Sequence, residues 1–342
     1  VRHSFSLAGE WKFKIDSLDQ GIENKWYEKL GDETVKLPGS MAENGKGYEV
    51  TLNTDWTGDI VDKSYFTDKK YERYRQSGNI KIPFWLKPVK YYKGVAWYQK
   101  ELEIPSGWEG KNIILFLERP HWESTVFVNG KKAGTENSLA VPHQYDITDF
   151  LVEGKNQVSI RIDNRVIVPI GVNSHSISDH TQSNWNGITG DISLKATSKV
   201  FISDIKIYPD VQAKKAKIIV SISNKSGNPF NGKVTLQAES FNSGISQKLN
   251  SKVVKAITTS NDLQLVIDYP MGSKMQSWSE FTPPLYKLSV TLKGSNGEIS
   301  DYKLEDFGMR EFKTKGTRFE FNEQQIFLNG TLECCILPLA GY

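Results

Sequence analysis

Residues 179–186 are the part of the sequence whose residue types are best suited to binding a small polar ligand. They read Asp179-His180-Thr181-Gln182-Ser183-Asn184-Trp185-Asn186. An indole ring can stack on the C–H face of a sugar while neighbouring amides and a carboxylate hydrogen-bond its hydroxyl groups. Asp179, His180, Asn184 and Trp185 are therefore candidate contacts for a ligand rich in hydroxyl groups, such as a carbohydrate. The alternative is a polar loop that Trp185 anchors to a hydrophobic core.

Other residue patterns that carry chemistry are missing from the sequence. The five histidines show no metal-ligand spacing, no glycine-rich phosphate loop follows a strand, and no Gly-x-Ser-x-Gly elbow occurs. Asp55, Asp59 and Asp62 could offer oxygen ligands to calcium, but their spacing does not match an EF-hand loop, so we expect an ordinary turn. We predict no metal and no cofactor. The adjacent cysteines Cys334 and Cys335 are expected to be free thiols, because neighbouring α-carbons lie closer than a disulfide usually requires.

A segment rich in aromatic residues occupies positions 41–93. One hypothesis is that Trp56, Trp85 or Tyr92 forms a binding platform or a lid. The other is that the segment packs across the surface of a domain. Its basic run, residues 69–75, contains Glu72, which favours a solvated loop over a nucleic-acid patch.

The composition and net charge limit the classes of protein to which the chain can belong. The chain has 342 residues, of which 38% are hydrophobic and 24% charged, so more than one globular domain is expected. Forty-three basic residues against 40 acidic ones leave a net charge of +3, too little for nucleic-acid binding. The longest apolar runs, such as residues 113–117, are far shorter than the roughly 20 residues that cross a bilayer. We predict neither a nucleic-acid partner nor membrane insertion.

Alternation of apolar and polar residues predicts an all-β chain. The Asn129-Gly130 pair predicts a two-residue hairpin turn, and residues 113–117 predict a central strand covered on both faces. Residues 146–154 predict a capped turn that ends at a glycine. These segments indicate a β-sandwich over residues 1–198.

A second series of short strands begins near Val200, and its turns are spaced as in an immunoglobulin-like sandwich over residues 199–313. After it, residues 319–328 predict a hairpin and residues 332–337 an apolar strand. A single apolar strand cannot satisfy its own backbone groups. We therefore expect that residues 314–342 begin a further domain.

Several motifs of the first sandwich resemble the sugar-binding domain of glycoside hydrolase family 2, the family of β-galactosidases, β-glucuronidases and β-mannosidases. They are Ala96-Trp97-Tyr98-Gln99-Lys100, residues 124–130, Tyr145-Asp146-Ile147-Thr148, residues 153–156 and Trp185-Asn186-Gly187-Ile188-Thr189-Gly190.

Later motifs resemble the rest of the family's non-catalytic part in the same order. Trp278 and the run Pro283-Pro284-Leu285-Tyr286 resemble the end of its middle domain, and residues 307–312 resemble that domain's last strand. Phe327-Leu328-Asn329-Gly330 resembles the entry to its barrel, although Thr331 to Pro338 departs from the arginine-containing stretch of many members.

The resemblance implies a galactose-binding-like jelly roll, an immunoglobulin-like sandwich and the first strand of a (β/α)8 barrel. It implies that the parent protein hydrolyses O-glycosidic bonds in oligo- or polysaccharides with two barrel glutamates, and that residues 179–186 approach the barrel mouth. No residue of this chain is then catalytic, and Glu118, Glu123 and Glu333 are expected to be structural or solvated.

The rival hypotheses are a non-catalytic carbohydrate-binding protein and a purely structural pair of sandwiches. The start at Val1 fits removal of a signal peptide, so export to the periplasm or cell surface is expected; oligomeric state is not predicted.

Overall fold

The computed structural model describes residues 2–56, 59–81, 89–139, 141–166, 170–174, 178, 180, 184–259 and 262–332. Strands dominate this part of the chain, which confirms the all-β prediction. Contacts divide it into two compact units, one built mainly from residues 4–108 and 113–195 and the other mainly from residues 196–331. The predicted domain boundaries near residues 198 and 313 stay predictions.

The first unit contains fifteen strands in its described residues. They are β1 (His3–Ser6), β2 (Gly9–Asp16), β3 (Thr34–Leu37), β4 (Gly39–Ser40), β5 (Tyr48–Glu49), β6 (Lys90–Tyr91), β7 (Val95–Glu103), β8 (Asn112–Leu117), β9 (Pro120–His121), β10 (Glu123–Val128), β11 (Lys131–Asn137), β12 (His143–Asp146), β13 (Lys155–Asp163), β14 (Gly187–Ile188) and β15 (Ile192–Thr197). Short helical turns cover Ser64–Thr67, Lys69–Tyr74 and Thr148–Phe150.

Two main sheets form the first sandwich, with strand orders β11-β10-β13-β7-β2-β3 and β1-β15-β8-β12. Val158, Ile160 and Ile162 of β13 point into the core between the sheets and are fully buried. Asn129 and Gly130 adopt φ angles of 50° and 77° between β10 and β11, which confirms the predicted hairpin. Strand β8 lies between β15 and β12, as a central strand should.

The outer face of the six-stranded sheet is covered by the segment that follows β2. Trp97 and Phe127 on this face belong to a hydrophobic cluster with Leu30, and the ring of Tyr27 stacks on Phe127 at 4.5 Å. The indole Nε1 of Trp97 donates to the Asp16 carboxylate at 2.9 Å. The sheet is therefore buried on both faces at its centre, which explains why β7 carries a run of buried residues.

The second unit has ten strands in its described residues. They are β16 (Val200–Asp210), β17 (Lys215–Asn224), β18 (Phe230–Phe241), β19 (Lys252–Thr258), β20 (Asp262–Pro270), β21 (Leu285–Gly294), β22 (Ile299–Phe307), β23 (Phe312–Lys315), β24 (Arg318–Phe321) and β25 (Gln324–Ile326). The sheets β16-β17-β20 and β19-β18-β21-β22 enclose one core, to which Ile218 and Tyr269 contribute from one sheet and Leu236 and Leu288 from the other. This sandwich matches the predicted immunoglobulin-like fold.

The prediction of one strand over residues 307–312 is wrong. Strand β22 ends at Phe307, and Phe312 begins β23 in a separate sheet with β24 and β25. The reason is Trp278, whose backbone N–H donates to the carbonyl of Met309 at 2.9 Å while its side chain lies against Gly308.

Within that sheet, the β24–β25 hairpin confirms the one predicted from residues 319–328, although its β25 strand ends at Ile326. Residues 327–332 form no strand, and positions 333–337 of the predicted barrel strand lie outside the described residues.

A buried carboxylate lies near the centre of the second unit. Asp301 is fully buried and accepts hydrogen bonds from the backbone N–H of Ile202 at 2.7 Å and from the guanidinium of Arg2 at 2.8 Å. Arg2 belongs to this unit by its contacts.

No helix in the described part of the chain is both long and apolar enough to cross a membrane.

Candidate functional site

The short strand β14 fixes the end of the predicted ligand-binding stretch. Gly187 pairs with Ser40 of β4 on one side and with His121 of β9 on the other. Its φ angle is 143°, and a Cβ atom there would lie 2.4 Å from the carbonyl oxygen of Gly39. Only glycine allows this close approach of three backbones. Residues 184–186 are thereby held at one end of the first sandwich.

Asn186 lies inside the sandwich and is 1% exposed. Its amide donates to the carbonyl oxygens of Ile162 and Gly94 at 3.1 and 3.2 Å. Its Oδ1 accepts a hydrogen bond of 2.8 Å from the hydroxyl of Tyr98. Burial raises the pKa of the Tyr98 hydroxyl well above its ordinary value, so it remains a donor at physiological pH.

Asn184 forms a reciprocal pair with another buried asparagine. Its Nδ2 donates to the carbonyl oxygen of Asn164, and its Oδ1 accepts from Asn164 Nδ2, both at 2.9 Å. Asn164 also donates to the carbonyl of Tyr92 and accepts from the N–H of Gly94, each at 2.8 Å. The Asn184 side chain is 6% exposed. Its amide therefore links backbone segments of the sandwich.

Trp185 is 5% exposed and stacks on the imidazole of His121, with the ring centroids 4.5 Å apart and the planes 22° from parallel. His121 itself is 6% exposed. One face of the indole is thus occupied by protein. The indole nitrogen has no hydrogen-bond partner in the described part of the chain. This environment favours the alternative in which Trp185 anchors the loop.

His180 differs from these residues because its side chain is 20% exposed. Its Nδ1 lies 3.3 Å from Ser178 Oγ, and its Nε2 lies 3.8 Å from Asp55 Oδ1. Asp59 lies beside them. By contrast, Asp62 accepts from the backbone N–H of Ser64 in a local turn. Asp179 and residues 181–183 lie outside the described residues.

Asn184 and Trp185 are therefore both buried, whereas the His180 side chain is partly exposed. Carbohydrate contact by Asp179, His180, Asn184 and Trp185 stays a prediction. The sequence did not reveal the partners His121 and Asn164. They precede Trp185 and Asn184 by 64 and 20 residues, respectively, and carry no motif of their own.

The aromatic segment packs mainly on itself. Trp56 and Tyr65 are 5% and 2% exposed, and their rings meet edge-on at 5.2 Å. Tyr65 also contacts Phe66 at 5.2 Å and Tyr71 at 5.8 Å. Of the three residues proposed as a platform or lid, Trp56 and Tyr92 are buried, and Trp85 lies outside the described residues. Packing is thus the role that this geometry supports.

The glutamates near the motifs have structural contacts. Glu118 accepts from the backbone N–H of Asp191 at 2.9 Å, and Glu123 lies 3.6 Å from the buried guanidinium of Arg161. Glu333 lies outside the described residues. Within the described part, Glu118 and Glu123 thus have the structural role expected for them.

Comparison with protein families accounts for both sandwiches. A model described as "Glycosyl hydrolases family 2, sugar binding domain" matches residues 48–198. A second, described as "Glycosyl hydrolases family 2", matches residues 200–310. Both belong to one family and together cover most of the chain. The chain belongs to glycosyl hydrolases family 2.

Relatives of this family 2 chain are much longer than it is. The β-glucuronidase of Paenibacillus borealis is 23% identical over 346 residues, covering 96% of the chain and 49% of the relative. The β-galactosidase of Aeromonas hydrophila is 23% identical over 342 residues, covering 95% of the chain and 30% of the relative. The chain therefore spans about half the length, or less, of these relatives.

A solved structure shows the same fold. It is that of β-glucuronidase 2 of Bacteroides uniformis covalently bound to cyclophellitol-6-carboxylate aziridine. It superposes with a TM-score of 0.69 at 19% identity, covering 96% of the family 2 chain and 35% of the other chain.

Proposed function

We propose that this chain is the non-catalytic front part of a β-glycosidase that cleaves O-glycosidic bonds with retention of configuration. The observation that carries the proposal is the succession of two family 2 domains over residues 48–198 and 200–310. The relatives named above are a β-glucuronidase and a β-galactosidase, and the chain matches only a part of each. A catalytic domain in the remaining part agrees with this partial coverage.

In this proposal, two glutamates outside residues 1–342 act as acid/base and nucleophile, with carboxyl groups about 5–5.5 Å apart. The two sandwiches serve as the scaffold, and the loop around His180 contributes part of the substrate rim. Exposure supports this choice, since the His180 side chain is 20% exposed whereas Asn184 and Trp185 are buried. We also propose that the protein is exported.

The test is a hydrolysis assay on aryl β-glucuronides, β-galactosides and β-mannosides. The 342-residue chain and the full-length protein are assayed side by side at equal concentration. We expect hydrolysis by the full-length protein alone, and the substrate that it cleaves names the sugar. Hydrolysis by the short chain would overturn the assignment of the catalytic carboxylates to the remaining part.

The rival functions give different results in the same experiment. A carbohydrate-binding protein would leave every substrate intact but bind oligosaccharides in calorimetric titration. A purely structural pair of sandwiches would neither cleave nor bind them. Either result with the full-length protein contradicts the proposal.

A further inference from the structure

Three side chains of types that can bind a metal lie close together in the first unit. Asp55 and Asp59 come from one loop, and His180 follows 121 residues after Asp59. One carboxylate oxygen from each aspartate and one imidazole nitrogen all lie within 4.8 Å of one another. All three residues are partly buried. The sequence could not indicate this cluster, because its third member is remote in the chain.

Neighbouring residues orient the nitrogen and oxygen atoms that would bind a cation. His180 Nδ1 lies 3.3 Å from Ser178 Oγ, and the ring is oriented so that Nε2 lies 3.8 Å from Asp55 Oδ1. Metal-binding histidines commonly have such a partner on the other nitrogen. Asp59 Oδ2 accepts from the backbone N–H of Trp56 at 3.0 Å, which fixes that carboxylate and leaves its second oxygen for a ligand.

The charges at the cluster favour a cation. Lys93 Nζ lies 3.7 Å from Asp55 Oδ2 and offsets one of the two negative charges. The two aspartates and Lys93 together carry a net charge of about −1 at neutral pH. The carboxylates therefore outnumber the one lysine beside them.

Trp56 lies between Asp55 and Asp59 in the sequence. Trp56 is 5% exposed, and its indole N–H has no hydrogen-bond partner in the described residues. A buried donor without an acceptor is unusual in a folded protein. Trp56 follows Asp55 directly in the chain and its backbone N–H donates to Asp59, so this buried donor belongs to the same stretch of chain as both carboxylates.

We propose that Asp55, Asp59 and His180 bind a divalent transition-metal cation, such as Zn²⁺ or Mn²⁺. An ion that holds oxygen and nitrogen ligands at roughly 2.0–2.2 Å keeps them at most about 4.4 Å apart, so atoms within 4.8 Å of one another need to move by no more than a few tenths of an ångström. The imidazole disfavours Ca²⁺ and Mg²⁺, which take oxygen ligands. The bound cation would fasten His180 to Asp55 and Asp59, which lie more than 100 positions away in the sequence.

The test is calorimetric titration of the 342-residue chain with MnCl2 and ZnCl2. It uses the background Cys334→Ser/Cys335→Ser, so that thiolates do not bind zinc. We expect one saturable site with a stoichiometry of one, and weaker binding of CaCl2 and MgCl2. His180→Gln and Asp59→Asn should each weaken Mn²⁺ binding by at least about 10-fold.

Asp62→Asn is the matched control, because Asp62 lies in the same loop but its carboxylate accepts from Ser64. It should bind Mn²⁺ like the parent. All these side chains are partly or fully exposed, and circular dichroism and melting temperature will show that each variant is folded. Absence of saturable binding in the parent, or equal affinity in the parent and the His180 and Asp59 variants, would overturn the proposal.

Discussion

The amide of Asn186 joins three groups of the first sandwich that are buried away from water. Two are the backbone carbonyls of Gly94 and Ile162, and the third is the hydroxyl of Tyr98. Asparagine suits this position because it offers two donors and an acceptor in one plane. The same capacity makes asparagine suitable for sugar hydroxyls. A sequence alone therefore cannot tell an internal amide from a ligand-binding one, and the structure supplies the difference through burial.

Replacing this amide gives the first stability prediction. Asn186→Ala should lower the free energy of unfolding by about 2–4 kcal/mol, because each buried partner left without a hydrogen bond costs about 1–3 kcal/mol. Urea denaturation followed by fluorescence measures the change. Asn250→Ala, at an exposed position, is the control and should change the free energy by less than about 0.5 kcal/mol. Equal stability of the two variants would contradict the role assigned to Asn186.

A buried histidine makes the stability of the first unit depend on pH. His143 is 1% exposed, its Nδ1 lies 2.6 Å from Ser124 Oγ, and its Nε2 lies 3.0 Å from the carbonyl oxygen of Ser138. Burial lowers the pKa of this imidazole from its usual value of 6.5, although the Ser138 hydrogen bond and the charge of Glu136 oppose the shift. The folded state thus favours the neutral ring.

The sign of the pH effect follows from this shift. Above pH 6.5 the ring is neutral in both the folded and the unfolded state. As the pH falls below 6.5, the unfolded chain binds a proton first, so stability is lost until the lower folded-state pKa is reached. The difference in unfolding free energy between the parent and His143→Gln should therefore shrink from pH 7.5 to pH 5. Urea denaturation at several pH values measures it, with the exposed His3→Gln as control. A difference that does not change with pH would refute the expectation.

At the scale of elements, local turn chemistry was predictable and tertiary contacts were not. The Asn129-Gly130 hairpin follows from two residues that accept positive φ angles. The end of β22 at Phe307 depends instead on Trp278, whose backbone bonds to Met309 from a separate loop. Nothing in residues 307–312 shows that contact, so the resemblance to the family's last strand placed a strand where this chain has none.

Strand β14 consists of two residues, yet it pairs with both β4 and β9. Gly187→Ala should destabilise the protein by about 2–5 kcal/mol, because the new Cβ would meet the Gly39 carbonyl oxygen and the φ angle of 143° disfavours alanine. Thermal and urea denaturation test this. Gly31→Ala is the control, since nothing lies within 4 Å of its Cβ position. A Gly187 variant as stable as the parent would show that the three backbones can separate at little cost.

At the scale of the whole molecule, the order of motifs was more informative than any one of them. The Trp97-Tyr98 strand, the Asn129-Gly130 turn and the Trp185 segment are each common types of local structure. Their succession predicted the two sandwiches and the family that the comparisons establish. The candidate site was less predictable, because burial of Asn184 and Trp185 and the approach of Asp55 to His180 depend on distant pairs of residues.

The pairing of Arg2 with Asp301 bears on how the chain is made. The two residues are 299 positions apart. At a synthesis rate of roughly 5–20 residues per second, Arg2 is added to the chain about 15–60 s before Asp301. During that interval the first sandwich can begin to fold, while Arg2 still lacks its final partner. A chaperone that holds the segment around Arg2 in this period would delay pairing of Asp301, which is fully buried in the second unit.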